Sequence, residues 1–144
     1  MSLTTRLHHP NFTPKKMSYH FSKIVQQDFD AAIAAVAAAL QAEGFGILTE
    51  IDLAGTLHKK LGVDLRPYRI LGACHPSFAY HAVQKEARIG LMLPCNLIVR
   101  ETEDGSIEVS AVDPVASMQG IQNEALGEVA NAVKEKLRRV IESL

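Results

Sequence analysis

The run Leu91-Met92-Leu93-Pro94-Cys95-Asn96-Leu97-Ile98-Val99-Arg100 restricts the fold more than any other stretch of this chain. It is apolar on both alternating faces until its last residues, the pattern of a strand in a sheet interior with both faces covered. Pro94 has no amide hydrogen for a ladder, so it predicts an edge position or a bulge at that point. Asp104-Gly105 follows shortly and is the strongest hairpin signal in the sequence. It joins the run to a second strand, Ser106 to Val112, in which Ile107, Val109 and Ala111 share a face. Antiparallel pairing at the centre of a sheet is therefore the starting point, and the remaining segments have to extend or cover it.

Upstream, Tyr19 to Gln26 alternates as a strand does. Asp28 stands at a helix N-cap position, Phe29, Ile33, Val36 and Leu40 form one face behind it, and Gly44 is a left-handed stop. The other positions of this helix are mostly alanine, which implies either close cover by a neighbour or simply high helix propensity. Phe45 to Ile51 reads as a further strand, and Asp52 caps a short helix that ends at Gly62. Tyr68 to Ala73 is the next strand. Pro76 then suits the first turn of a helix, placing His75 at its N-cap and Cys74 just outside its positive end. Phe78, Ala79, Ala82 and Val83 form that helix's apolar stripe, and Gly90 releases the chain into the Leu91–Arg100 strand. A turn region after Asp113-Pro114 leads to a last helix opening near Asn123, with Leu126, Val129, Val133, Leu137, Val140 and Leu144 on one stripe. Glu135 and Arg139 are spaced to pair along it.

Composition bounds the function. A chain of 144 residues with 47% hydrophobic and 22% charged residues is long enough for a core that needs no metal or disulfide. A formal charge of −1 leaves no basic field for nucleic acid, and the basic residues from Lys134 to Arg139 are interleaved with glutamate as on a solvated helix face. Ala31 to Leu40 is too short to cross a bilayer, so no membrane partner is expected. No apolar segment follows the basic residues near the N-terminus as in a secretory signal, so a cytoplasmic protein with reduced thiols is expected. Residues before Ser18 show no periodic pattern and read as an arm, and His8-His9 there reads as solvated.

The segments Pro67-Tyr68-Arg69-Ile70-Leu71-Gly72-Ala73-Cys74-His75-Pro76, Phe78-Ala79-Tyr80, Ile89-Gly90-Leu91-Met92-Leu93-Pro94-Cys95-Asn96, Val99-Arg100-Glu101 and Val112-Asp113-Pro114 together resemble the domain-of-unknown-function 302 family. The likeness runs from about Met17 to the C-terminus, and Met17-Ser18-Tyr19 is similar to the opening of its members. The resemblance implies residues 1–16 as an N-terminal extension and 17–144 as a single α+β domain. It further implies a TATA-box-binding-protein-like fold, a curved antiparallel sheet of about five strands packed by two long helices, with short inserted helices and often a homodimer. No activity comes with it.

Candidate chemistry centres on the two cysteines. A helix's positive end stabilises a thiolate, and Cys74 stands at such an end. If its strand neighbours the one holding Cys95, the pair forms a redox couple, or two soft ligands for copper or zinc with His75 as a third. Tyr68, Arg69, Tyr80, Asn96 and Arg100 are the polar groups expected to line a cleft beside them, with Arg100 otherwise pairing with Glu101 or Asp113. There is no glycine-rich phosphate loop, strand-elbow serine or instructive carboxylate pair, so enzyme status stays open and the sequence assigns no cofactor. Three readings follow: a dimeric binding or sensing module for a small ligand or soft metal near Cys74, His75 and Cys95; a thiol-dependent enzyme using Cys74 with Cys95 resolving; and a structural dimer whose cysteines are inert core. Of the two thiols, Cys74 is expected to be the more reactive.

Overall fold

The computed structural model describes residues 18–144. The extension and His8-His9 lie outside the described residues. The alternating segment forms strand β1 (His20–Val25), and Asp28 accepts a 2.8 Å bond from the Ala31 amide to start helix α1 (Phe29–Ala42). Strand β2 (Gly46–Asp52) leads into helix α2 (Leu53–Leu61), capped by Asp52 through the Gly55 amide at 2.9 Å. Both helices are followed by a left-handed glycine, Gly44 at φ +90° and Gly62 at φ +71°, a conformation that a side chain makes costly. Strand β3 (Tyr68–Cys74) runs into helix α3 (Pro76–Lys85), and strands β4 (Cys95–Glu101) and β5 (Ile107–Val112) form the hairpin expected at Asp104-Gly105. Helix α4 (Pro114–Ser117) and the long helix α5 (Ala125–Glu142) complete the chain.

The five strands make one antiparallel sheet in the order β1-β5-β4-β3-β2, so the α+β reading holds and β4 is the central strand. Its register defines two faces. Leu71, Leu97 and Ala111 lie in one row and Val99 and Val109 in the next, all essentially inaccessible beneath α1 and α5. On the opposite face a row runs Ile51, Ile70, Ile98, Ser110, Ser22, and none of these is fully buried. Helix α1 buries Ala32, Val36 and Leu40; α5 buries Leu126, Ala130, Val133, Leu137, Val140 and Ile141. The alanine surface of α1 is thus partly covered, by α5 and the sheet, while Ala31, Ala34 and Ala38 face outward.

Four expectations are corrected. Strand β4 is central, yet among the described residues only one of its faces is covered: Asn96 is exposed and Ile98 half-buried, because both long helices pack on the same side. The strand starts at Cys95. Leu91 and Met92 belong to a 3-10 turn, Ile89–Met92, that buries Ile89, and Pro94 precedes the ladder as the second residue of a cis peptide. The turn region after Asp113 contains α4, whose first amides are capped by Asp113 Oδ1, with the Val115 N–H donating at 2.9 Å. Arg139 pairs with Glu43 at 3.0 Å and Glu135 with Arg138 at 3.2 Å, so the two residues expected to pair along α5 have other partners. The expected stripe of α5 holds and is wider, with Ala130 and Ile141 buried beside it, since its contact surface is divided between α1 and α3. No described helix is long and apolar enough to cross a membrane.

Candidate functional site

Two hydrophobic cores occupy the helix side of the sheet. The larger holds Leu71, Leu97, Val99 and Leu137, and the smaller joins Ala82, Ile89 and Leu126. Between them lies a cavity of about 250 Å³. Its existence follows from residue size. Phe78, Ala79 and Ala82 on α3 and Val129, Ala130 and Val133 on α5 have the same i, i+1, i+4 spacing, which places each trio on one helix face. Ala73 of β3 belongs to the same lining, and with alanine at four positions the facing elements leave volume unfilled.

Cys74, His75 and Cys95 line this cavity together. Cys74 ends β3 and His75 is the N-cap residue of α3, with Pro76 in the first turn, as the sequence indicated. The His75 side chain makes no capping bond. Its ring sits edge-on to Phe45, with centroids 5.3 Å apart, and tilted against Phe78 at 4.4 Å. Glycine at position 44 allows this packing, because a Cβ there would lie 2.7 Å from His75 Nε2. Nδ1 of His75 is buried and has no hydrogen-bond partner among the described residues. Burial holds the imidazole below its ordinary pKa, and the Lys136 charge acts in the same direction. The ring is therefore neutral at pH 7.

The two thiols differ. Cys95 faces Ala73 across the ladder and is 8% exposed; burial, reinforced by Cys74, pushes its pKa up to about 11. Cys74 is half-buried and adjoins the N-terminus of α3. Ala73, and not Cys74, is the cross-strand partner of Cys95, so the cysteines are offset by one residue, and both are free thiols. Consecutive strand residues alternate between faces, so this register lacks the direct opposition of a cross-strand disulfide.

The sequence profile of the family described as Domain of unknown function DUF302 matches residues 21–144. The chain belongs to this family. It is also similar to an uncharacterized conserved DUF302 protein from Bacillus stearothermophilus of known crystal structure, with a TM-score of 0.80 and 26% identity over 86% of this chain and 96% of that one. No curated protein matches.

In this DUF302 domain the polar residues expected beside the cysteines are dispersed. Tyr68, Asn96 and Arg100 stand on the uncovered sheet face, around a shallower hollow of about 480 Å³ shared with His20, Ser22 and Ser110. There the Arg100 Nε–H donates to Glu108 Oε1 at 2.7 Å; Glu101 instead takes Arg66, and Asp113 takes Lys134. Arg69 lies on the helix side, donating to Glu50 at 2.5 Å and stacking over Phe29. Tyr80 projects from α3 and is 64% exposed. Among the described residues no three His, Cys, Asp or Glu side chains form a group that could hold a metal ion. Sequence reasoning missed the alanines as cavity-formers: Ala79 and Ala82 were legible as part of a helix stripe, but Ala130 only becomes a wall once α5 is seen to face α3.

Proposed function

We propose that this DUF302 domain is a binding or sensing module, dimeric in solution, that holds a small ligand in the cavity beside Cys74, His75 and Cys95. One observation carries the reading: an N-cap histidine, a strand-end thiol and a buried thiol, drawn from two strands and the start of α3, line a single apolar hollow. Pockets of this kind, apolar with few polar groups, are the usual form of small-molecule sites. A soft metal is the weaker choice of occupant, given the absence of a three-ligand group among the described residues. A thiol-exchange role for the pair is disfavoured by the Cys95 pKa of about 11, since a protonated thiol is neither a good nucleophile nor a good leaving group. The dimer reading draws support from the sheet face left uncovered by the described residues, where Ile51, 45% exposed, adjoins half-buried Ile70 and Ile98 in one row. Sedimentation tests that part directly, and a monomer at micromolar concentration removes it.

The site itself is tested by filling it from within. Ala130→Leu places a larger side chain in the cavity wall, and alkylation of Cys74 in the folded variant should slow. Alkylation at the wild-type rate would mean that the thiol does not open onto the cavity, and the reading falls.

A further inference from the structure

Resting on that binding reading, the cavity's own chemistry narrows its occupant, and we infer that the ligand is a small, uncharged aromatic molecule. Size sets the first limit. An apolar cavity of about 150 Å³ accepts benzene, so one of about 250 Å³ accommodates a substituted single ring or two fused rings, and not a nucleotide or a long acyl chain.

Charge sets the second limit. Among the described residues no carboxylate, ammonium or guanidinium lines the hollow. The basic side chain that acts on His75 from α5, Lys136, is engaged by Glu43 at 3.6 Å, and Glu43 is also held by Arg139 at 3.0 Å. The charged group of an ionised ligand, drawn into this half-open hollow, would surrender part of its hydration and meet no free countercharge among the described lining residues, an unfavourable transfer. Shape sets the third. Phe45, Phe78 and the neutral His75 ring present faces and edges at mutual angles of 41° and 87°, and Met118 supplies a polarisable sulfur, the surroundings in which an aromatic ring gains beyond its buried area.

A matched series of probes tests this: benzyl alcohol, benzoate and benzylammonium share a ring and differ in charge. Titrated at pH 7 into the full-length protein, with the methyl resonances of Ala79 and Ala130 followed by NMR, benzyl alcohol should shift both and bind about tenfold or more tighter than either ion. Ala130→Leu should weaken it by about tenfold or more, with the milder Ala79→Val variant as a second probe should the leucine variant fold poorly. Tighter binding of benzoate or benzylammonium, still abolished by the filled-cavity variant, would overturn the ligand class and leave the binding site standing. If none of the three probes moves the alanine methyls, or the variants bind all three as the wild type does, the cavity is not a ligand site and both conclusions fall together.

Discussion

The two faces of the sheet are built from the same five strands, yet alternate residues give them opposite characters. Leu97 and Val99, pointing one way from β4, are inaccessible; Asn96, Ile98 and Arg100, pointing the other, are partly or fully in contact with solvent. The covered face pays for itself through burial of aliphatic side chains under α1 and α5, whereas the open face is organised by polar links. Ser22 and Ser110 hydroxyls meet at 2.6 Å, His20 approaches Ser22 at 2.7 Å, and Arg100 holds Glu108. Stability and the candidate site thus reside on one side, whereas three of the polar groups expected beside the cysteines, Tyr68, Asn96 and Arg100, reside on the other.

Substitutions at adjacent positions of β4 make the contrast measurable. Leu97→Ala should destabilise the fold by about 2–5 kcal/mol in chemical denaturation, as for other fully buried leucines. Ile98→Ala, one residue along, should cost only about 1 kcal/mol in a monomer, because its side chain is half-buried already. A loss at Ile98 that equals the loss at Leu97 and grows with protein concentration would show the open face to be covered by a second copy.

The open face is closely packed at Gly72. At Gly72 an added Cβ would lie 2.6 Å from Pro94 Cγ and also against the Thr49 hydroxyl, so Gly72→Ala should cost about 1–3 kcal/mol. The same variant paired with Thr49→Ser, which keeps that hydroxyl, should recover little of it.

The smallest effect expected is that of pH at the covered face. His75 has its folded-state pKa lowered, so the unfolded chain takes up the proton first. Its contribution is complete above the ordinary imidazole pKa of about 6.5 and is lost as pH falls through the folded-state value, so the denaturation midpoint should decline on acidification from pH 8 to pH 5. His75→Phe should flatten that part of the profile. An unchanged profile would place the imidazole in water and not between Phe45 and Phe78.

Much of the fold was legible because local rules are strong here. Asp28 and Asp52 as N-caps, Gly44 and Gly62 as stops, Asp104-Gly105 as a hairpin and Pro76 in a first helical turn all act within a few residues of chain. The misreadings needed longer-range information. Leu91 to Leu93 satisfies the pattern of a strand, and only the second core formed by Ile89, Ala82 and Leu126 explains why the chain coils before Pro94. The site suffered most from this limit. Strand alternation puts Asn96 and Arg100 on one face and Cys95 on the other, but which face the helices take, and which residue lies opposite Cys95, depends on register between strands far apart in sequence. The Ala73–Cys95 pairing could not be counted out from either strand alone.

The central claim, that the covered face ends in a cavity with a reachable thiol at Cys74 and a sealed one at Cys95, is tested most directly by the rates at which the two cysteines of the native protein are alkylated at pH 7. The structure predicts one cysteine modified readily, identified as Cys74 by peptide mapping, and Cys95 modified only on unfolding. Modification of Cys95 first, or silence at both positions until the protein unfolds, would contradict it.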